Sequence, residues 1–103
     1  MTATAAKDIA QAVTRSRADF GKEAARRYES LITETLINIA SAPHGAGSHT
    51  VSAIRRGLLI RHLASSNRSR VKHPRHIVAY LLENDAVHIL RVLHESMDLP
   101  RHL

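Results

Sequence analysis

The chain contains no cysteine, which removes disulfides, thiolate nucleophiles and thiolate zinc sites and agrees with a reducing compartment. Tryptophan is absent too, and Phe20, Tyr28 and Tyr80 are the only aromatics. Aliphatic side chains must therefore fill the core, and base-stacking platforms are scarce. No apolar run approaches the length of a membrane span, and the first twelve residues, interrupted by Lys7 and Asp8, do not read as a signal peptide. A soluble, cytoplasmic protein without a membrane partner is expected. Acid is missing from the middle of the chain, where residues 44–82 carry Arg55, Arg56, Arg61, Arg68, Arg70, Lys72 and Arg75 but no Asp or Glu.

What is present suits one domain: 103 residues, 44% of them apolar, can bury one core and leave too little chain for a second. Fifteen Lys and Arg against nine Asp and Glu give a formal net charge of +6, and twelve of the fifteen are Arg, the cation suited to bidentate contacts with carboxylates or phosphates. Residues 1–43 are nearly balanced, with six basic and five acidic groups. The positive charge is thus concentrated in the centre, where it would draw nucleic acid or an acidic protein. With no stacking aromatics among the arginines, an acidic protein is the better fit.

Ala6, Ile9, Ala10 and Val13 recur at helical spacing and indicate a short first helix, with a break marked by Thr14, Ser16 and Asp19. A second helix over residues 21–41 carries Ala24, Ala25, Tyr28, Leu31, Ile32, Thr35, Leu36, Ile39 and Ala40 on one face, with Glu23 and Arg27 as an i,i+4 surface pair. Ile37 sits off that stripe and marks a possible partner contact. Pro43, Gly45 and Gly47 end the helix, so residues 43–53 read as a loop. Three runs rich in Val, Ile, Leu and Tyr follow at 58–64, 77–83 and 87–94 and read as strands. The last two flank Asn84-Asp85, a turn short enough to require an antiparallel hairpin. Apolar groups on both faces of these strands imply helices over one face and partial cover of the other, supplied by the tail 95–103 or by a partner.

The eight histidines show neither the spacing of a zinc-binding helix nor a close pair framed by carboxylates, so no metal site is expected. Phosphate-binding glycine loops, nucleophile elbows and paired carboxylates are equally missing, and with them any expectation of a cofactor or a catalytic set. Arg91 shares a strand face with Val87, Ile89 and Leu93 in strict alternation, where an unpaired guanidinium would be costly. Glu95 or Asp98 is the expected counter-ion, which would pin the tail; a partner contact is the competing reading. Met97, Leu99 and Leu103 are spaced to lay apolar groups back on the sheet, and Pro100 bars a regular helix around them.

The run from Ile89 to Asp98, with Arg91, Val92, Leu93, His94, Met97 and Asp98, closely resembles the ParE branch of the RelE/ParE toxin family. Asp19-Phe20-Gly21, Ala25, Tyr28, the helix end from Ala40 to Pro43 and the stretch from Ile54 to Leu58 carry the same resemblance. The resemblance implies an α+β fold in which an N-terminal helix hairpin packs on a small antiparallel sheet. The family pattern opens with a strand, and since only Met1 to Ala5 precede Ala6, that strand is expected to be absent or very short. It further implies a toxin, not an enzyme, that binds DNA gyrase and stalls it with DNA cleaved, neutralised by a ParD-like antitoxin in a complex of two toxin and two antitoxin chains. Arg61, Arg91, His94, Met97 and Asp98 are the residues expected in gyrase inhibition or tail anchoring, and Arg55, Arg56, Arg61, Tyr28 and Ile37 in antitoxin binding. The alternatives are a ribosome-dependent messenger RNA endoribonuclease of the RelE type and an inactive antitoxin-binding module.

Overall fold

The computed structural model describes residues 1–67 and 71–103; Arg68 and Arg70, counted above in the basic centre, lie outside them. The first helix, α1 (Ala3–Phe20), is capped by Thr2, whose Oγ accepts from the Ala5 amide at 3.0 Å. It is far longer than the short helix expected. Thr14 and Asp19 lie on its exposed side, where an Arg15–Asp19 pair at 3.1 Å supports the helix. Isolated polar residues on a solvent face do not end a helix; Gly21, at φ +91°, does. Its amide caps α1 through the Arg17 carbonyl and its carbonyl receives the Ala25 amide, so one residue joins α1 to α2 (Lys22–Ser41). Glu23 pairs with Arg26 at 3.5 Å rather than with Arg27.

A four-stranded antiparallel meander follows, β1 (Ser48–Thr50), β2 (Leu58–His62), β3 (His76–Glu83) and β4 (Ala86–His94), in that spatial order. β1 lies inside the expected loop. It is a three-residue polar edge strand paired with Leu59, Ile60 and Arg61, too short and too polar to show alternation. β2 ends two residues early, because Leu63–Ser66 tighten into a 3₁₀ turn. Asn84 and Asp85, both at positive φ, form the expected tight hairpin between β3 and β4. No strand precedes α1 among the described residues. The amide of Thr2 donates to the Ile89 carbonyl at 3.0 Å and its hydroxyl to the Leu90 carbonyl at 2.7 Å, on the outer side of β4.

The helices cover one sheet face, where Ala5, Tyr28, Leu31, Ile32 and Ile39 pack against Leu59, Val78, Tyr80, Ile89 and Val92. Tyr80 is fully buried there and its hydroxyl donates to the Pro43 carbonyl at 2.6 Å. The other face is covered only in part: Leu58, Ala79 and Leu81 meet Val51 and Ile54 from the 51–57 turn and Leu103 from the tail. A bulge sets Ile89 opposite Tyr80 and Arg91 opposite Ala79, leaving Leu90 as the extra residue of β4. The strict alternation expected of Val87, Ile89, Arg91 and Leu93 is therefore broken at Leu90.

Candidate partner-binding site

Two of the expected site arginines are committed to the fold. Arg91 does not meet Glu95 or Asp98; its Nε and Nη2 grip the Asp8 carboxylate of α1 at 2.8 and 3.0 Å, and the Val92 amide donates to the same carboxylate at 3.0 Å. The bulge re-aims Arg91 at the edge along which α1 runs. Asp8 holds the guanidinium pKa above its ordinary value. Arg61 is only 3% exposed. Its Nη2 donates to the Ala42 carbonyl at 2.7 Å and the Pro43 carbonyl at 3.4 Å, placing positive charge at the negative end of α2. Its Nε has no partner among the described residues. Its guanidinium is held within the fold at the end of α2.

Tyr28 and His94, expected at different surfaces, belong to one cluster at the end of the sheet. The Arg75 amide donates to the Tyr28 hydroxyl at 3.0 Å, leaving the phenolic proton for His76 Nδ1 at 2.6 Å. A neutral His76 with its proton on Nε2 accepts the phenolic proton in this arrangement. Burial, and then the neighbouring His94, lower its pKa to about 4, while burial raises that of Tyr28. The His76 and His94 rings meet edge-on at 5.4 Å. Glu95 bridges His62 at 3.4 Å and Arg75 at 3.7 Å. The sequence does carry a signal for this cluster, since His62, His76 and His94 sit at the ends of three strands that a meander brings together. Among the described residues no group of three or more potential ligands is placed to hold a metal ion. The cluster clasps α2 to the sheet end.

Three other regions are open to partners. A shallow groove on the helix hairpin is lined by Met1, Ile9, Leu36 and Ile37 with Glu29 and Thr33, and Ile37 is 59% exposed. Arg55 and Arg56 are exposed in the 51–57 turn. In the tail, Met97 is 43% exposed and Asp98 faces Arg101 at 3.5 Å rather than Arg91. A single helical turn, α3 (Leu99–His102), accommodates Pro100 in its first turn, where no amide donor is needed. Of the three tail residues expected to cover the sheet, Leu103 packs on the Leu58 cluster.

No helix among the described residues is long and apolar enough to cross a membrane. A search of curated protein sequences finds no match. The family model for the ParE toxin of the type II toxin-antitoxin system parDE matches residues 1–99, nearly the whole chain, and toxins of that family act by binding rather than catalysis. The helix hairpin on a small antiparallel sheet agrees with this match, and the chain belongs to the ParE family of toxins of type II toxin-antitoxin systems.

Proposed function

We propose that this toxin binds DNA gyrase directly and holds it with DNA cleaved, and that a ParD-like antitoxin neutralises it in a complex of two toxin and two antitoxin chains. The observation that carries the reading is family membership over residues 1–99. Met97 and Asp98, exposed beyond β4 and independent of Arg91, are available to a target. The antitoxin lays an amphipathic segment along the hairpin groove at Ile37, with acidic groups that answer Arg55 and Arg56. Tyr28 contributes from beneath, as the clasp that holds α2 in place.

Supercoiling and cleavage assays with purified protein at near-physiological salt test the target. Inhibition with trapped cleaved DNA is expected, weakened by Met97→Ala or Asp98→Ala at unchanged thermal stability and antitoxin affinity. Codon-specific cuts in messenger RNA with gyrase intact would replace this reading by the ribosomal one. Harmless overexpression combined with tight antitoxin binding would leave an inactive binding module. Sizing of the free toxin and of the complex checks the two-and-two assembly.

A further inference from the structure

Aromatic side chains are scarce here, and two of the three, Tyr28 and Tyr80, are buried. The third, Phe20, is 76% exposed at the last position of α1. It stands on the tip of a stiff hairpin turned by one glycine, beside Arg17 and Lys22, both exposed and neither in an ion pair with any described residue. The neighbouring carboxylates have partners of their own on the helix surface, Asp19 in Arg15 at 3.1 Å and Glu23 in Arg26 at 3.5 Å. An apolar anchor between unanswered cations, with self-paired charges around it, has the anatomy of a binding hot spot and its rim.

The tip also lies at the end of the molecule that carries the tail residues. Tyr28 touches His76 at the sheet end, and the seven residue steps of α2 from it back to Gly21 carry the tip about 10 Å further at roughly 1.5 Å per step. Met97, whose amide donates to the His94 carbonyl at 3.0 Å, is the exposed apolar residue of β4's exit at this same end. The hairpin groove at Ile37 is lined instead by α2 residues from Glu29 to Ile37 with Met1 and Ile9, and by none of Arg17, Phe20 and Lys22.

We propose that the hairpin tip is the surface by which the toxin seats on its target protein, with Phe20 entering an apolar pocket and Arg17 and Lys22 meeting carboxylates at its border. A convex aromatic needs a concave apolar receptor, which a protein surface offers ready-made and duplex DNA offers only after a costly kink. This inference rests on the gyrase reading. Phe20→Ala is exposed enough to fold, and with Arg17→Glu/Lys22→Glu it is compared with the wild type in gyrase inhibition, antitoxin affinity, thermal unfolding and binding to a free duplex. Each variant is expected to need roughly 10-fold more protein for half-inhibition, the scale of losing a binding anchor, with antitoxin affinity and melting temperature unchanged. Inhibition equal to that of an active wild type overturns the tip alone. A wild type that leaves gyrase untouched overturns both the tip and the gyrase reading. Loss by Phe20→Ala of affinity for the free duplex, without gyrase, assigns the tip to nucleic acid and overturns the protein contact.

Discussion

Arg91 and Asp8 stand 83 residues apart and share two hydrogen bonds, with the Val92 amide adding a third to the same carboxylate. Removing one partner of a half-buried pair leaves the other poorly solvated, so Asp8→Ala and Arg91→Ala are each expected to cost about 2 kcal/mol. The double variant is expected to cost less than their sum, which a denaturant double-mutant cycle measures.

His76 carries the clearest pH dependence. Its pKa of about 4 in the folded protein lies below the ordinary 6.5, so the unfolded chain binds more protons between these values. The contribution is full above pH 6.5 and is lost as pH falls towards 4. Because the ring is partly exposed, roughly 1–2 kcal/mol is expected rather than the full linkage figure. Urea unfolding at pH 7.5 and 4.5, beside an NMR titration of the His76 ring, checks sign and size; a ring titrating near 6.5 in the folded protein would remove the clasp as its cause.

At the scale of elements, the tail differs from the helices. Its backbone hydrogen bonds after Met97 close on the tail itself, and its packing on the sheet comes through Leu103. Deleting residues 97–103 uncovers part of the Leu58 cluster but leaves the Arg91–Asp8 pair intact. The expected loss is about 1 kcal/mol, on the order of one partly buried aliphatic side chain. Leu58→Ala, in the fully buried floor of the same cluster, is expected to cost 2–5 kcal/mol by the range usual for such truncations, roughly. Thermal unfolding of the two variants ranks them.

For the whole molecule, the positive centre divides into charge that the fold uses and charge that it presents. Arg61 belongs to the first kind and Arg55 and Arg56 to the second. Arg55→Ala/Arg56→Ala is therefore expected to slow antitoxin association several-fold and flatten its salt dependence, with stability unchanged within about 0.5 kcal/mol. Arg61→Ala is expected to lower stability by about 2 kcal/mol while the salt dependence stays as in the wild type. Stopped-flow association at two ionic strengths, together with unfolding curves, separates the two.

Local pattern alone determined a good deal: the apolar stripe of α2 from Tyr28 to Ile39, though not its expected end at the exposed Ala40, the opposite faces of Val78/Tyr80 and Ala79/Leu81 in β3, and the tight turn at Asn84-Asp85. These follow from periods of 3.6 and 2 and from turn chemistry, which a few adjacent residues carry. The family likeness was legible separately, as a resemblance carried by the run of residues around Arg91 and His94. The length of α1 was not, because its polar residues lie on a face whose exposure only packing sets. β1 was hidden because three polar residues at an edge make no pattern. Tertiary structure alone decided which arginine is a surface charge and which a helix cap. It also gave Arg91 its partner: one extra residue in β4 broke the alternation, and Asp8 arrived from the other end of the chain. Register and long-range packing choose such partners, and neither is written in the spacing of neighbours.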